Sequence, residues 1–124
     1  MRMMFFGAAL AVSSCANADG NLPDPTHDFD CSLTTQVFYE TSATSDADHP
    51  ETLKALSVIH NWYATLVQDA AGKGASLPSD DKVRNMYLAL GKDLPGARKV
   101  LQACVDRTKS DPGFPSFAGT HGFR

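Results

Sequence analysis

Apolar residues recur at helical spacing over residues 50–72, PETLKALSVIHNWYATLVQDAAG, and this segment organises the prediction for the whole chain. At about 100° per residue, most of its apolar side chains fall on one side of a helix and its polar ones gather opposite. The apolar side is formed by Leu53, Leu56, Ile59, His60, Tyr63, Leu66, Val67 and Ala70. This arc covers roughly half the circumference, wider than the ~100° stripe of a surface helix. We therefore expect a central helix with neighbours on two sides, ended by Gly72 and Gly74.

Residues 30–41 predict an earlier helix, with Asp30 as its N-cap and with Cys31 and Phe38 on its buried face. The segment is rich in threonine, which lowers helix propensity, so a strand over residues 33–39 is the alternative.

Two later segments also have helical patterns. Ser79 is the predicted N-cap of a third helix, whose apolar stripe is Val83, Met86, Tyr87 and Leu90. Asp93 is the predicted N-cap of a fourth, which has Pro95 in its first turn and runs to about Lys109. Its apolar face is Ala97, Val100, Leu101, Cys104, Val105 and Thr108. The predicted fold class is all-α, a bundle of about four short helices.

The N-terminus has the pattern of a signal peptide over residues 1–18. Arg2 gives a positive start, residues 3–12 form an apolar run, and Ala16 and Ala18 place small residues before a cut at Asp19. The apolar run is too short for a membrane span, which needs about 20 residues. We therefore expect a periplasmic or secreted protein.

Residues 12–15, VSSC, offer an alternative, because they are similar to a bacterial lipobox. Cleavage before Cys15 would leave that residue lipid-modified and anchor the protein to a membrane.

The sequence therefore predicts four regions: a signal peptide at 1–18, an extended lead-in at 19–29, a helical domain at 30–110 and a flexible tail at 111–124. Proline and glycine interrupt both the lead-in and the tail. The tail carries Phe114, Phe117 and Phe123, and the sequence leaves open whether they dock.

Cysteine usage adds a covalent constraint. Removal of the signal peptide takes Cys15 away and leaves Cys31 and Cys104, which in an exported chain most simply form one disulfide. In the chain-entropy model, closing a loop of this length contributes roughly 4 kcal/mol. Two free thiols are the poorer alternative, and no C-x-x-C redox motif is present.

The net charge of the chain argues against some classes of binding partner. The formal net charge is −3, without clusters of lysine or arginine, and this argues against nucleic acid and against electrostatic binding of anionic lipid. No cofactor motif is visible, and the oligomeric state stays open.

Candidate chemistry is sparse. No nucleophile elbow, H-E-x-x-H, P-loop or G-x-G-x-x-G occurs, so we expect no catalytic residues and no enzymatic activity. His27, His49 and His121 lie near ends or caps, and no histidine has a partner at the spacing of helical metal sites, so no metal is expected. His60 lies on the apolar arc and is a candidate pH-sensing residue, because protonation near pH 6 would charge a packed contact.

Asp30-Cys31 and the late segment Leu101-Gln102-Ala103-Cys104 carry a resemblance. A small exported helical chain with one disulfide in these positions is similar to the periplasmic acid-stress chaperones of the HdeA type. The spacing is equally similar to other small secreted helical proteins, including immunity proteins against secreted toxins.

These observations lead to a functional expectation. We expect a binding or protective role in the cell envelope, with a protein partner there. The alternatives are a lipoprotein anchored through Cys15 and a small hydrolytic enzyme whose site forms only by tertiary contacts. A hydrolase would require a cluster of titratable residues beside a pocket, whereas a binding role would not predict one.

We predict a mature N-terminus at Asp19. Intact-mass measurement of the protein from its native host tests this, because cleavage after Ala18 and acylation of Cys15 give different masses. A mass showing acyl chains on Cys15 would contradict soluble export.

Overall fold

The computed structural model of the chain describes residues 21–45 and 50–120. The predicted signal peptide with Cys15, the histidines His49 and His121, and Phe123 lie outside the described residues.

The described residues form five helices and no strand. They are α1 (Asp28–Ser45), α2 (Pro50–Gly72), α3 (Asp80–Lys92), α4 (Leu94–Ser110) and α5 (Phe114–Thr120). None of these described helices combines the length and the apolar character needed to cross a membrane. The predicted all-α bundle is confirmed.

Helix α1 begins two residues earlier than predicted. The Cys31 N–H donates to the His27 carbonyl at 3.1 Å, so the first turn already includes Asp28. Asp30 is therefore not the N-cap, and that prediction is wrong. Its buried carboxylate instead accepts the Asp24 N–H at 2.7 Å, which ties the lead-in to the first turn of α1.

The strand alternative for residues 33–39 is wrong, because these residues are helical. Thr34 and Thr35 are completely buried within α1. Their hydroxyl groups donate to the carbonyls of Asp30 and Cys31, each at 2.8 Å. A threonine that bonds back to the preceding turn satisfies its hydroxyl without leaving the helix, which overrides its weak propensity.

Helix α2 ends as its glycines predict. Gly74 has φ +98°, the Gly74 N–H donates to the Ala71 carbonyl, and the Ala75 N–H donates to the Ala70 carbonyl, each at 3.0 Å. This is the Schellman arrangement, which requires a left-handed residue after the helix and so favours glycine there.

Helix α1 packs mainly along α2 and also contacts α3 and α4. Helix α2 packs along α1 on one side and contacts α5 on the other, so its predicted two-sided burial is confirmed. Its buried residues are Leu56, Val58, Ile59 and Tyr63. Val58 was not on the predicted arc, and the arc is therefore wider than the pattern indicated.

Helices α3 and α4 have their predicted caps. The Ser79 side chain accepts the Lys82 N–H at 3.2 Å, and the Asp93 side chain accepts the Gly96 N–H at 2.9 Å. The stripe on α3 is rotated from the prediction: Tyr87 is 53% exposed, and Ala89 is buried beside the predicted Leu90. The face of α4 is confirmed, with Ala97, Val100, Cys104 and Thr108 buried.

The segment predicted as a flexible tail contains α5. Trp62 of α2 contacts Phe114 and Phe117 edge-on, with ring centroids 5.6 and 5.3 Å apart. These two rings lie three residues apart, so one turn of helix points both at Trp62. A helix of seven residues is too short for its periodicity to stand out in the sequence.

Candidate functional site

The disulfide joins α1 to α4 at the centre of the core. Cys31 and Cys104 are bonded, with their Cα atoms 5.6 Å apart, and both residues are completely buried. The predicted pairing is confirmed.

Tyr63 and Arg107 surround this bond. The buried Tyr63 hydroxyl donates to the Cys104 carbonyl at 2.6 Å, and burial raises the pKa of Tyr63 to about 12, so the phenol remains a neutral donor. The Arg107 guanidinium lies 5.1 Å from the centre of the Tyr63 ring, a cation–π arrangement. It also donates to the Asp28 carboxylate at 2.8 Å and to the Pro25 carbonyl at 3.0 Å.

These contacts fasten the lead-in to the bundle. Pro23 is buried, and Leu22 packs against the core that contains the disulfide. A Cβ atom at position 96 would meet the Asp93 carboxylate that caps α4 and would lie 2.7 Å from the end of the Leu22 side chain, so glycine leaves room for both. Sequence analysis missed Arg107, because its partners lie far from it along the chain.

The fastened lead-in forms one wall of a cleft of about 450 Å³, which we call the N-terminal cleft. Asp24, His27 and Asp30 line this wall, and the first turns of α3 line the opposite wall with Ser79, Asp81, Lys82 and Asn85. The cleft therefore exists only because residues far apart in sequence are held together.

Asp30 is the buried charged group of the cleft, with a side chain only 6% exposed. Its Oδ2 atom accepts the Asp24 N–H, and its Oδ1 atom accepts no hydrogen bond from any described residue. Buried carboxylates normally have several donors, because the charged form is costly to remove from water. A donor that reached this oxygen from the cleft would complete the hydrogen bonding of the Asp30 carboxylate.

Asp24 carries a full negative charge beside Asp30. The Thr26 N–H and the Thr26 hydroxyl donate to its carboxylate at 2.9 and 2.7 Å. These two hydrogen bonds, helped by the charges of His27 and Lys82, hold the pKa of Asp24 below its usual value.

The opposite wall has its own available groups. Asp81 is engaged by Arg84, whose guanidinium donates to it at 2.6 Å. The Lys82 ammonium acts electrostatically on Asp24 across the cleft, and the Asn85 amide lines the same wall as Lys82. The wall on α3 therefore presents one cation and one amide.

His27 lies between the two carboxylates of the lead-in wall. Its Nε2 atom is 3.8 Å from Asp24 Oδ2, and its Nδ1 atom is 3.9 Å from Asp30 Oδ2. The prediction that no histidine lies at the spacing of a helical metal site is not tested by these contacts, since they join the imidazole to carboxylates and not to a metal ion. Asp24, His27 and Asp30 follow one another at three-residue intervals, and this spacing is the signal that could have revealed the wall. Over residues 21–45 and 50–120, no group of three such side chains could hold a metal ion.

Two other clefts are larger but lack a buried charge. One of about 620 Å³ lies on the other side of the lead-in, between Pro23 and Pro95, and another of about 590 Å³ lies between α2 and α4, over Leu56 and Val105. The charged residues that line these two clefts are exposed or half-buried, so water still solvates their charges.

His60 links α2 to α1. Its Nδ1 atom lies 2.9 Å from the Ser32 carbonyl, so Nδ1–H donates to that oxygen, and the Thr35 hydroxyl is 3.5 Å away. The ring lines a cleft of about 270 Å³ together with Gln36, Tyr39, Glu40 and Ser57. The pH-sensing role stays a prediction.

Comparison of the chain with protein-family models, with curated proteins and with solved structures finds no match. Its function must be argued from its own residues.

The hydrogen bond from His60 to the Ser32 carbonyl predicts that His60 stabilises the contact between α1 and α2. His60→Ala should lower the free energy of unfolding by about 1 kcal/mol, because it removes the donor. His60→Gln can also donate to this carbonyl and should lower the free energy of unfolding less. Urea unfolding at one neutral pH measures both variants, and equal stability of wild type and His60→Ala would contradict a stabilising role of this bond.

Proposed function

We propose that this chain is an exported binding protein of the cell envelope, with the N-terminal cleft as its recognition site. The observation that carries this proposal is the buried Asp30 carboxylate facing available groups of Lys82 and Asn85 across a cleft of about 450 Å³. Clefts of about 300–1,000 Å³ with a few convergent polar groups are typical of ligand sites.

The disulfide supports export. A bond between two completely buried cysteines persists in oxidising compartments, whereas cytosolic thiols are kept reduced. The apolar run and the A-N-A sequence before Asp19 favour the same compartment. The Cys15 lipoprotein alternative would place the same cleft on a membrane-anchored protein.

The rigidity of the cleft supports binding. Arg107 holds the lead-in through Asp28 and Pro25, and Asp30 holds it through Asp24. A site whose walls are fixed before the ligand arrives loses less conformational entropy on binding.

His27 gives a specific reason to keep a hydrolytic enzyme as the second candidate. A carboxylate near one nitrogen of an imidazole can orient it as a general base, and the other nitrogen of His27 would have to turn from its carboxylate to a water. Both carboxylate distances exceed hydrogen-bond length, so a substrate would have to tighten the arrangement. A binding role alone did not predict a cluster of titratable residues beside a pocket. The cleft has such a cluster in Asp24, His27 and Asp30, and this favours the hydrolytic candidate.

Capture from a native envelope extract tests the proposal. The mature wild-type chain is immobilised, and retained proteins and small molecules are identified by mass spectrometry. Lys82→Glu reverses a cleft charge, and Lys73→Glu is the matched control at an exposed lysine outside the clefts described above. We expect a component that wild type and Lys73→Glu retain and that Lys82→Glu loses at least about tenfold, which corresponds to about 1.4 kcal/mol.

Identical retention by all three proteins, or no retention, would contradict recognition in the cleft. The hydrolytic candidate predicts in addition that the wild-type chain converts the captured component and that His27→Asn does not.

A further inference from the structure

We infer that the N-terminal cleft binds a small zwitterion, a molecule that carries one primary ammonium and one carboxylate, as an amino acid does. This inference rests on the proposed function and names the class of ligand for the same site.

The lead-in wall selects a cationic donor. The Asp30 carboxylate is nine-tenths buried and has one oxygen without a donor among the described residues, and the charged Asp24 lies next to it. An ammonium group supplies several N–H donors and a positive charge, and charge-assisted hydrogen bonds of this kind are stronger than neutral ones. A carboxylate or phosphate placed there would be repelled by both aspartates.

The α3 wall selects an anion. Lys82 presents an ammonium, whose charge also acts on Asp24 across the cleft, and Asn85 presents an amide. Asp81, on the same wall, repels an anion less than a free carboxylate would, because Arg84 pairs with it. A ligand that carried only positive charge would meet repulsion from Lys82 on this side.

The two walls together favour both charges on one molecule. Opposite charges on opposite walls orient a zwitterion, whereas a purely anionic or cationic ligand satisfies only one wall. A divalent metal ion is a poorer occupant, since no three His, Cys, Asp or Glu side chains in the described ranges form a group that could hold one. A volume of about 450 Å³ accommodates an amino acid with room for a side chain or a short spacer.

Titration with ω-amino acids of increasing length tests the inference. Glycine, β-alanine, 4-aminobutyrate and 6-aminohexanoate carry the two charges at increasing separation, and butylamine and butyrate each carry one of them. Binding to the mature chain is followed by calorimetry and by the amide signals of residues 24–30 and 79–85 in nitrogen–proton correlation spectra. We expect saturable binding of at least one amino acid, with butylamine and butyrate each at least about tenfold weaker.

Variants locate the two charges. Asp30→Asn should weaken the best amino acid at least about tenfold, because it removes the charge facing the ammonium. Lys82→Gln should also weaken it, and because Lys82 is exposed this variant keeps the test valid if Asp30→Asn fails to fold. Asp106→Asn, on the exposed face of α4, is the control and should bind as wild type does.

The inference is overturned if no amino acid gives saturable shifts, if butyrate binds as tightly as the best amino acid, or if both cleft variants bind it as wild type does. If capture of an envelope component still depended on Lys82, the proposal of recognition in the cleft would be supported and only the zwitterion as its ligand would be rejected. Failure of both experiments would remove recognition in the cleft itself.

Discussion

The structure depends on the contact between α1 and α4 that the Cys31–Cys104 bond makes permanent. The bond links residues 73 positions apart, and closing a loop of that length lowers the conformational entropy of the unfolded chain. Its roughly 4 kcal/mol is a large share of the ~5–15 kcal/mol by which domains are stable. Tyr63 fastens α2 to α4 beside this bond, because its hydroxyl donates to the carbonyl of Cys104. Three helices therefore meet at one covalent link.

The same link determines where the lead-in can lie. Arg107 is one turn beyond Cys104 on α4, stacks on Tyr63 and binds Asp28 and the Pro25 carbonyl. A covalent bond in the core is thus connected through one arginine to the wall of the N-terminal cleft. Asp30 completes the connection from α1, because its carboxylate holds the Asp24 backbone. Fold stability and the proposed recognition site therefore rely on shared residues.

Local signals in the sequence were enough for α1 to α4 and for the caps of α3 and α4. Ser79 and Asp93 cap as predicted and Gly74 ends α2, because each of these features depends on a few neighbouring residues. The disulfide was predictable because only two cysteines remain after the predicted signal peptide. The stripe on α3 was misplaced at Tyr87, since two adjacent apolar residues do not show which of them faces the core.

The cleft could not be derived in the same way. Asp30 looked like an N-cap because the position of α1 was judged from local pattern, whereas its real partner is the backbone of Asp24. Lys82 and Asn85 reach the cleft only because α3 packs against α1, a tertiary contact that periodicity does not encode. Arg107 was missed for the same reason, since Asp28 is 79 residues away.

Equilibrium unfolding in urea of the oxidised and the reduced mature chain tests the central claim most directly. Reduction changes no residue, and its only effect on packing is that the two buried sulfur atoms move from bonding to van der Waals distance. The account predicts that the oxidised protein is more stable by roughly 4 kcal/mol at neutral pH, with some loss if the native geometry is strained. Coincident unfolding midpoints would contradict it, because α4 and the lead-in would then be held without the Cys31–Cys104 bond.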